Sequence, residues 1–207
     1  MEREAVKQLF GKNFIGKDEL KPFFKALGFG DAEIMESPIK YSDSDLQKAA
    51  SEDYILIYGV EEFNEERLTL RFLRDKFGVN PDKSEPCLYN QDWYLKENFM
   101  DVTLSNKWHL IKKEVFENSR AVMPRDLMHQ GLRFPPAILC GYTFFAYYFA
   151  RNEYLWWHDF VWCCDSDHNG DRIYVGKYHD IDGVNKNGFS IHRHLALRPC
   201  YGSVNCV

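Results

Sequence analysis

Apolar residues recur at helical spacing along the N-terminal part of the chain. In residues 18–27, Leu20, Phe23, Phe24 and Leu27 fall at i, i+3, i+4 and i+7, which places them on one face of a helix. Gly28 follows directly and is a typical helix terminator. This pattern therefore predicts an amphipathic helix over 18–27, and a shorter one is predicted over 4–10.

Two further helices are predicted from residues that favour helix N-termini. Ser42, Ser44 and Asp45 are candidate caps for a helix that ends near residue 50. Asn64 is the predicted cap of a further helix. The apolar stripe of this helix comprises Leu68, Leu70, Phe72 and Leu73.

Strand patterns occupy the middle of the chain and its C-terminal region. Residues 53–60 are rich in β-branched and aromatic side chains, and residues 107–115 alternate between apolar and polar. Short β-type runs at 160–164, 172–175 and 189–191 alternate with loops of Asp, Asn, His, Ser, Gly and Tyr. Before these runs, Pro135 and Pro136 precede an aromatic stretch, which predicts a long core helix over 137–150.

These elements together predict an α+β fold. The chain has 207 residues, 45% of them hydrophobic and 16% aromatic, which is sufficient for a sizeable core. We expect a helical and strand-containing N-terminal part, residues 1–80, packed on a main domain that comprises residues 81–207.

Charge and hydropathy exclude several classes of function. The formal net charge is −5, which disfavours nucleic acid as the primary ligand, because such ligands require a basic surface. No apolar run is long enough to span a bilayer. The N-terminus carries charges where a signal peptide would be apolar, so synthesis in the cytoplasm is expected. Display on a virion or cell surface remains compatible with this, and the final location is not predicted.

The six cysteines do not form a zinc-binding pattern, since no CxxC pair occurs. Cys163 and Cys164 are adjacent and point to opposite faces of a strand, so they do not bridge each other. Free thiols are the favoured interpretation, and pairing of Cys200 with Cys206 remains open.

The stretch from Asp165 to Asp171 has two interpretations. Asp165, Asp167 and Asn169 have part of the spacing of a calcium loop, but Gly176 stands where the loop would need a bidentate Glu. Asn169-Gly170 is also a strong hairpin turn signal between two β-type runs. The hairpin is favoured, and calcium at these three residues is the lesser alternative; otherwise no cofactor is predicted.

Histidines and cysteines suggest two other kinds of chemistry. His192 and His194 would share a strand face and, with Asp180 or Asp182, have the residue types of a transition-metal site. Cys163 or Cys164 could pair with His158 or His179 as a nucleophile. Neither arrangement has a supporting local motif, and exposed loop residues are the favoured interpretation.

The order of segments in the last third of the chain resembles a known family. A Pro-led helix from Arg133-Phe134-Pro135-Pro136 is followed by a Trp-rich strand, then R-I-Y-V-G at 172–176, an Asp182-Gly183 turn and N-G-F-S-I at 187–191. This order resembles the C-type-lectin-like domain of the formylglycine-generating-enzyme type. Within that group it is most similar to the variable proteins of diversity-generating retroelements from bacteria, archaea and their viruses.

The resemblance implies a lectin-like scaffold with a hypervariable region at about 156–198. It implies a non-enzymatic, receptor-like function, in which diversified side chains bind a protein or another macromolecule whose identity is not predicted. A formylglycine-generating-enzyme-like oxidase and a calcium-dependent sugar-binding module are the alternatives. The expected ligand-contacting residues are His158, Asp159, Asp165, Asp167, His168, Asn169, Asp171, Tyr174, Tyr178, His179, Asp180, Asn185, Asn187 and His192.

Overall fold

The structure is a computed structural model that describes residues 1–31, 33–80, 82, 85–178, 188–193 and 197–207, with Tyr178 described by its backbone alone. Six α-helices lie in this part of the chain: α1 (Arg3–Phe10), α2 (Lys17–Ala26), α3 (Asp43–Ser51), α4 (Leu70–Phe77), α5 (Pro124–His129) and α6 (Ala137–Arg151). The same part contains nine strands: β1 (Phe14–Ile15), β2 (Tyr54–Tyr58), β3 (Glu62–Phe63), β4 (Glu66–Arg67), β5 (Trp108–Lys112), β6 (Phe160–Ser166), β7 (Arg172–Tyr178), β8 (Gly188–His192) and β9 (Tyr201–Gly202). The predicted α+β class is confirmed, because helices and small sheets both contribute to the fold.

The first sheet joins the N-terminal part to the middle of the chain. Its strand order is β1-β2-β5, with β1 parallel and β5 antiparallel to β2. All five residues of β2 are buried, as expected for a central strand. The pairing of β2 with β5 crosses the predicted boundary at residue 80, and one core includes residues from both sides of it.

Helix α6 is the core helix that the Pro-led aromatic stretch predicts. Residues 137–147 of this helix are all buried. The Asp165 carboxylate accepts a hydrogen bond of 2.6 Å from the Ala137 amide, which caps the N-terminus of the helix. Asn152 ends the helix in the left-handed conformation, and Phe145 stacks on Phe77 with 4.4 Å between ring centroids.

The prediction that Asn64 caps a helix is wrong. Asn64 and Glu65 both have positive φ and form the turn of the small β3–β4 hairpin. Helix α4 begins only at Leu70, where the Thr69 hydroxyl accepts a hydrogen bond from the Phe72 amide. Asn suits both roles, since its short side chain favours N-caps and also tolerates the left-handed region.

The second sheet has the order β8-β7-β6-β9 and contains the three predicted strands of the C-terminal region, each longer than expected. Its inner face packs against α6, as the 5.0 Å contact between the rings of Phe144 and Phe189 illustrates. Gly176 is required where β7 passes β6, because a Cβ there would lie 2.0 Å from the Asp159 carbonyl oxygen. Within the described residues, no helix has both the length and the apolar character needed to cross a membrane.

Candidate functional site

The structure places the expected contact residues at three separate locations around the second sheet. His158 and Asp159 precede β6 at one end, Asp165 to Asp171 form the hairpin at the other end, and Tyr174 and His192 lie on the outer face between them. Tyr178 ends β7 at the same end of the sheet as His158. His179, Asp180, Asn185 and Asn187 lie outside the described residues, as do Asp182 and His194.

The β6–β7 hairpin confirms the turn that Asn169-Gly170 predicts. The Asp167 carboxylate accepts hydrogen bonds from the amides of Asn169 at 2.9 Å and Asp171 at 2.8 Å, which fixes the turn. His168 and Asn169 are exposed at its tip. Asp165, another of the three proposed calcium ligands, accepts a hydrogen bond from the Ala137 amide at the N-terminus of α6. The oxygen atoms of this stretch therefore serve the hairpin and the helix.

A compact charge cluster anchors this hairpin to two 3₁₀ turns that precede β5, Trp93–Lys96 and Asn98–Asp101. Glu97 is only 5% exposed and accepts hydrogen bonds from the His168 amide at 2.9 Å and from its ring at 2.6 Å. Arg193 donates to Asp167 at 2.6 Å and lies over the ring of Trp93. Burial alone would raise the pKa of Asp167, but the hydrogen bonds from Arg193 and the two amides lower it to about 2.

Glu97, Asp167 and His168 each place a potential metal-ligand atom within 4.8 Å of the others. The Arg193 guanidinium already compensates both carboxylates, at 2.6 Å from Asp167 and 3.9 Å from Glu97. The cluster is therefore accounted for as a set of ion pairs that secures the hairpin.

The outer face of the sheet carries a stack of aromatic rings. His192 stacks on Tyr174 with centroids 5.4 Å apart, and its Nε2 lies 2.6 Å from the Ser190 hydroxyl. Burial lowers the pKa of His192 to about 4, so the ring is neutral at pH 7. Tyr174 also contacts Trp162 and Tyr201, and all three are buried. Of the expected contact residues here, His192 is partly exposed and Tyr174 belongs to the packing.

Residues 154–159, which we call the aromatic strap, connect α6 to β6. Trp156 and His158 both have positive φ, a conformation that non-glycine residues adopt at a cost. The two adjacent indoles differ in exposure: Trp156 is buried, whereas Trp157 is 44% exposed. The Lys177 amide donates to the Trp156 carbonyl at 3.2 Å and holds the strap against the end of β7.

Lys177 also holds the strap through its side chain, which is only 3% exposed. Its ammonium donates to Glu85 at 2.9 Å and lies 4.5 Å from the ring centroid of Tyr154 and 5.3 Å from that of Trp157. Burial and the Glu85 carboxylate raise the pKa of the Tyr154 phenol well above its ordinary value. These four residues, Glu85, Tyr154, Trp157 and Lys177, form what we call the lysine latch.

A cleft of about 210 Å³ lies beside the strap, between it and residues 113–120. Three ion pairs occupy its walls: Lys113 with Glu153 at 2.7 Å, Arg120 with Asp159 through two bonds of 2.6 and 3.1 Å, and Arg120 with Glu117 at 3.0 Å. The hydrogen bonds to Asp159 raise the pKa of Arg120 further above its usual range. This strap cleft brings the expected contact residue Asp159 together with an exposed indole, that of Trp157.

A larger cleft, of about 640 Å³, lies at the N-terminal helices, far from the expected contact residues in the chain. Four of its charged side chains form two ion pairs, Arg3 with Glu36 at 2.7 Å and Lys21 with Asp18 at 3.0 Å. No aromatic side chain is among the described residues that line it. We therefore regard the strap cleft as the stronger candidate despite its smaller volume.

The cysteines that an oxidase would require are poorly suited to nucleophilic chemistry. Burial raises the pKa of Cys163 well above its ordinary value and that of Cys164 to about 11. Because the thiolate is the reactive form, both thiols are weak nucleophiles at neutral pH. Cys200 and Cys206 are free thiols in this structure, so the open question of their pairing is answered against a bridge.

Comparisons with family models, with curated proteins and with solved structures gave no match for this chain. The assignment of a site therefore depends on its own geometry. Sequence patterns did not point to Glu97, Lys177 or Arg193, whose partners are far away in the chain. One signal for Lys177 was available in the sequence. Ile173 and Val175 occupy alternate, inward-facing positions of the strand, and Lys177 is at the next such position. Lysine is rarely buried without a partner.

Proposed function

We propose that this chain is a non-enzymatic, receptor-like binding protein with a C-type-lectin-like C-terminal region that a retroelement diversifies. The observation that carries the proposal is the separation, within that region, of exposed polar tips from a buried scaffold. His158 and Asn169 are exposed, whereas Asp167 is buried and hydrogen-bonded to Arg193, and Tyr174 is buried. A diversified surface needs this separation, because substitutions at exposed positions change stability little.

The scaffold has features that suit such a role. The hairpin tip is fixed by hydrogen bonds that Asp167 and Glu97 accept from its backbone amides and from the His168 ring, so the side chain of Asn169 is presented from a rigid turn. The strap is fixed by the lysine latch while it exposes Trp157. Rigid display reduces the entropy lost on binding, which is how preformed surfaces gain affinity.

The lectin-like interpretation of the fold is supported by two features of the described residues. A four-stranded, mostly antiparallel sheet built from the C-terminal region packs on a Pro-led helix. The order of helix, strap and strands follows the order on which the family resemblance is based. We propose that residues 81–207 as a whole adopt the lectin-like fold.

The test of diversification is the DNA around the gene. We expect a near-copy of the coding sequence for about residues 156–198, differing at adenines, together with a gene for a reverse transcriptase. The differences should fall in codons of exposed residues such as His158 and Asn169, and should spare Asp167 and Tyr174. The absence of both the near-copy and the reverse transcriptase would refute the proposal.

A further inference from the structure

Asn169 and Gly170, at the tip of the β6–β7 hairpin, are a chemically reactive pair as well as a turn. Asparagine is among the thermolabile residues of proteins. When glycine follows it, no side chain separates the asparagine carboxamide from the next backbone nitrogen. Asn169 is exposed, and apart from the chain neighbours of Gly170 no described residue has an atom within 4 Å of the place where a Gly170 Cβ would lie. The described surroundings therefore leave this pair unshielded.

The reaction open to such a pair is deamidation through a succinimide. The Gly170 nitrogen loses its proton and attacks Cγ of Asn169, so that an N–Cγ bond forms. The bond from Cγ to Nδ2 then breaks, and ammonia leaves. Water opens the ring at either of its two carbonyl groups, which gives aspartate or isoaspartate. Water is the sole co-reactant, and nothing is oxidised or reduced.

The hydrogen bonds of the turn oppose this reaction. The Gly170 N–H donates to the Asp167 carbonyl oxygen at 3.0 Å, so the nucleophile is engaged. The amides of Asn169 and Asp171 both donate to the Asp167 carboxylate, which fixes the backbone on either side of the reacting pair. Ring closure has to release the Gly170 N–H and therefore requires the turn to open.

The charge cluster around Glu97 holds the turn closed from outside. The second oxygen of the Asp167 carboxylate accepts a hydrogen bond of 2.6 Å from Arg193, which follows β8. Glu97 accepts the His168 amide at 2.9 Å and also contacts the His168 ring. Local opening of the hairpin must break these contacts, so they determine the fraction of molecules in which the turn is open.

We propose that Asn169 is a site of spontaneous deamidation, and that the Arg193–Asp167 ion pair sets its rate by holding the turn closed. The rate in the folded protein equals the rate in the unfolded chain multiplied by the open fraction. The product places a new carboxylate at the hairpin tip. Isoaspartate also lengthens the backbone by one atom and disturbs the spacing of the amides that donate to Asp167. This inference does not depend on the proposed binding function.

The experiment incubates the full chain at neutral pH and follows Asn169 by peptide mass spectrometry, in which isoaspartate and aspartate peptides separate by retention time. A parallel incubation in urea gives the rate in the unfolded chain. Asn187-Gly188 is the other Asn-Gly pair of the sequence. Asn187 lies outside the described residues, so it serves only as the reference for the unfolded chain.

We expect Asn169 to react in urea at a rate similar to that of Asn187, and at least about tenfold more slowly in the folded protein, since the turn must first open. Isoaspartate should be among the products, because a succinimide yields it and direct hydrolysis of the side chain does not. No reaction of Asn169 in urea, equal rates in the folded and unfolded chain, or aspartate without isoaspartate would overturn the proposal.

Arg193→Gln tests the role of the ion pair. It should raise the rate at Asn169 in the folded protein about 10- to 100-fold, the change that corresponds to the loss of one hydrogen bond between charged groups. The rate in urea should stay the same. Arg3→Gln is the matched control, because Arg3 holds the largely buried Glu36 at 2.7 Å among the N-terminal helices, and it should leave the rate at Asn169 unchanged.

A second hairpin variant guards against failure of the first one to fold. Glu97→Gln weakens the contacts of the same turn to His168 and should also raise the rate at Asn169 in the folded protein. Melting temperatures establish which variants are folded. Folded hairpin variants that react no faster than the wild type, or no faster than Arg3→Gln, would overturn the proposed control by the charge cluster.

Discussion

Replacement of Lys177 by Met is the sharpest test of how the strap is held. Methionine keeps most of the buried aliphatic volume and removes the ammonium, so packing changes little while the polar contacts are lost. Those contacts are the 2.9 Å hydrogen bond to Glu85 and the ring contacts to Tyr154 and Trp157. The substitution therefore isolates the charge of the lysine latch.

The expected loss can be worked out from these contacts. A hydrogen bond between charged groups contributes about 1.5–3 kcal/mol, and each cation–π contact about 0.5–1 kcal/mol or more when desolvated. Two effects offset part of this sum. The variant avoids the desolvation cost of burying an ammonium group, and the Glu85 side chain, which is 29% exposed, can be hydrated once its partner is lost. We expect a net loss of about 2 kcal/mol, which lowers the melting temperature by about 4–8 °C in a domain of this size.

Urea unfolding of Lys177→Met, Glu85→Gln and the double variant measures the coupling between the two side chains. We expect a coupling energy of about 1–2 kcal/mol, in the range found for residues that share a contact. Lys25→Met is the control, since Lys25 is exposed on α2 and its loss should change stability by less than about 0.5 kcal/mol. A coupling energy near zero, or equal effects of the two lysine substitutions, would refute the latch.

Three further predictions concern the C-terminal region. Because the folded-state pKa of Asp167 is about 2 against an ordinary 3.8, the stability that its carboxylate contributes is fully present above about pH 4 and is lost as the pH falls towards 2. The difference in unfolding free energy between wild type and Asp167→Asn should shrink over that interval, and a constant difference would contradict the role of Arg193. The His192 ring should titrate in the folded protein with an NMR midpoint near 4. The free energy of unfolding should decrease as the pH falls from about 6.5 towards 4, because over this interval only the unfolded state gains the proton. A midpoint near 6.5 would show that the ring is not buried. Asp165→Ala removes the hydrogen bond to the Ala137 amide and should lower the free energy of unfolding in urea by about 1 kcal/mol. The control, Ser166→Ala, removes an exposed hydroxyl and should change that free energy little. Equal losses in the two variants would argue against the cap.

Local patterns were sufficient for the elements whose apolar faces are buried against a core. Helix α2 follows the spacing of Leu20, Phe23 and Phe24, and α6 follows the double proline and its aromatic stretch. The hairpin at Asn169-Gly170 was likewise predictable, because turn geometry depends on neighbouring residues. The wrong prediction at Asn64 also arises from local reasoning, because asparagine suits both a helix N-cap and a left-handed turn.

The candidate site was less predictable because its contacts join distant segments. The Lys177–Glu85 pair joins residues 92 apart in sequence, and the Glu97–His168 pair joins residues 71 apart. No local pattern specifies such pairs, although a lysine at an inward strand position indicates that a partner must exist. The expected contact residues were identified by composition, which cannot distinguish a buried Asp167 from an exposed Asn169.

The lysine latch and the strap cleft share two residues, and this connects stability to binding. Lys177 does not line the cleft, yet its ammonium fixes Tyr154 and Trp157, which do. The strap conformation, with positive φ at Trp156 and His158, carries a cost that fixed contacts must offset. Loss of the latch should therefore let the strap adopt other conformations and lower the fraction of molecules with a formed cleft.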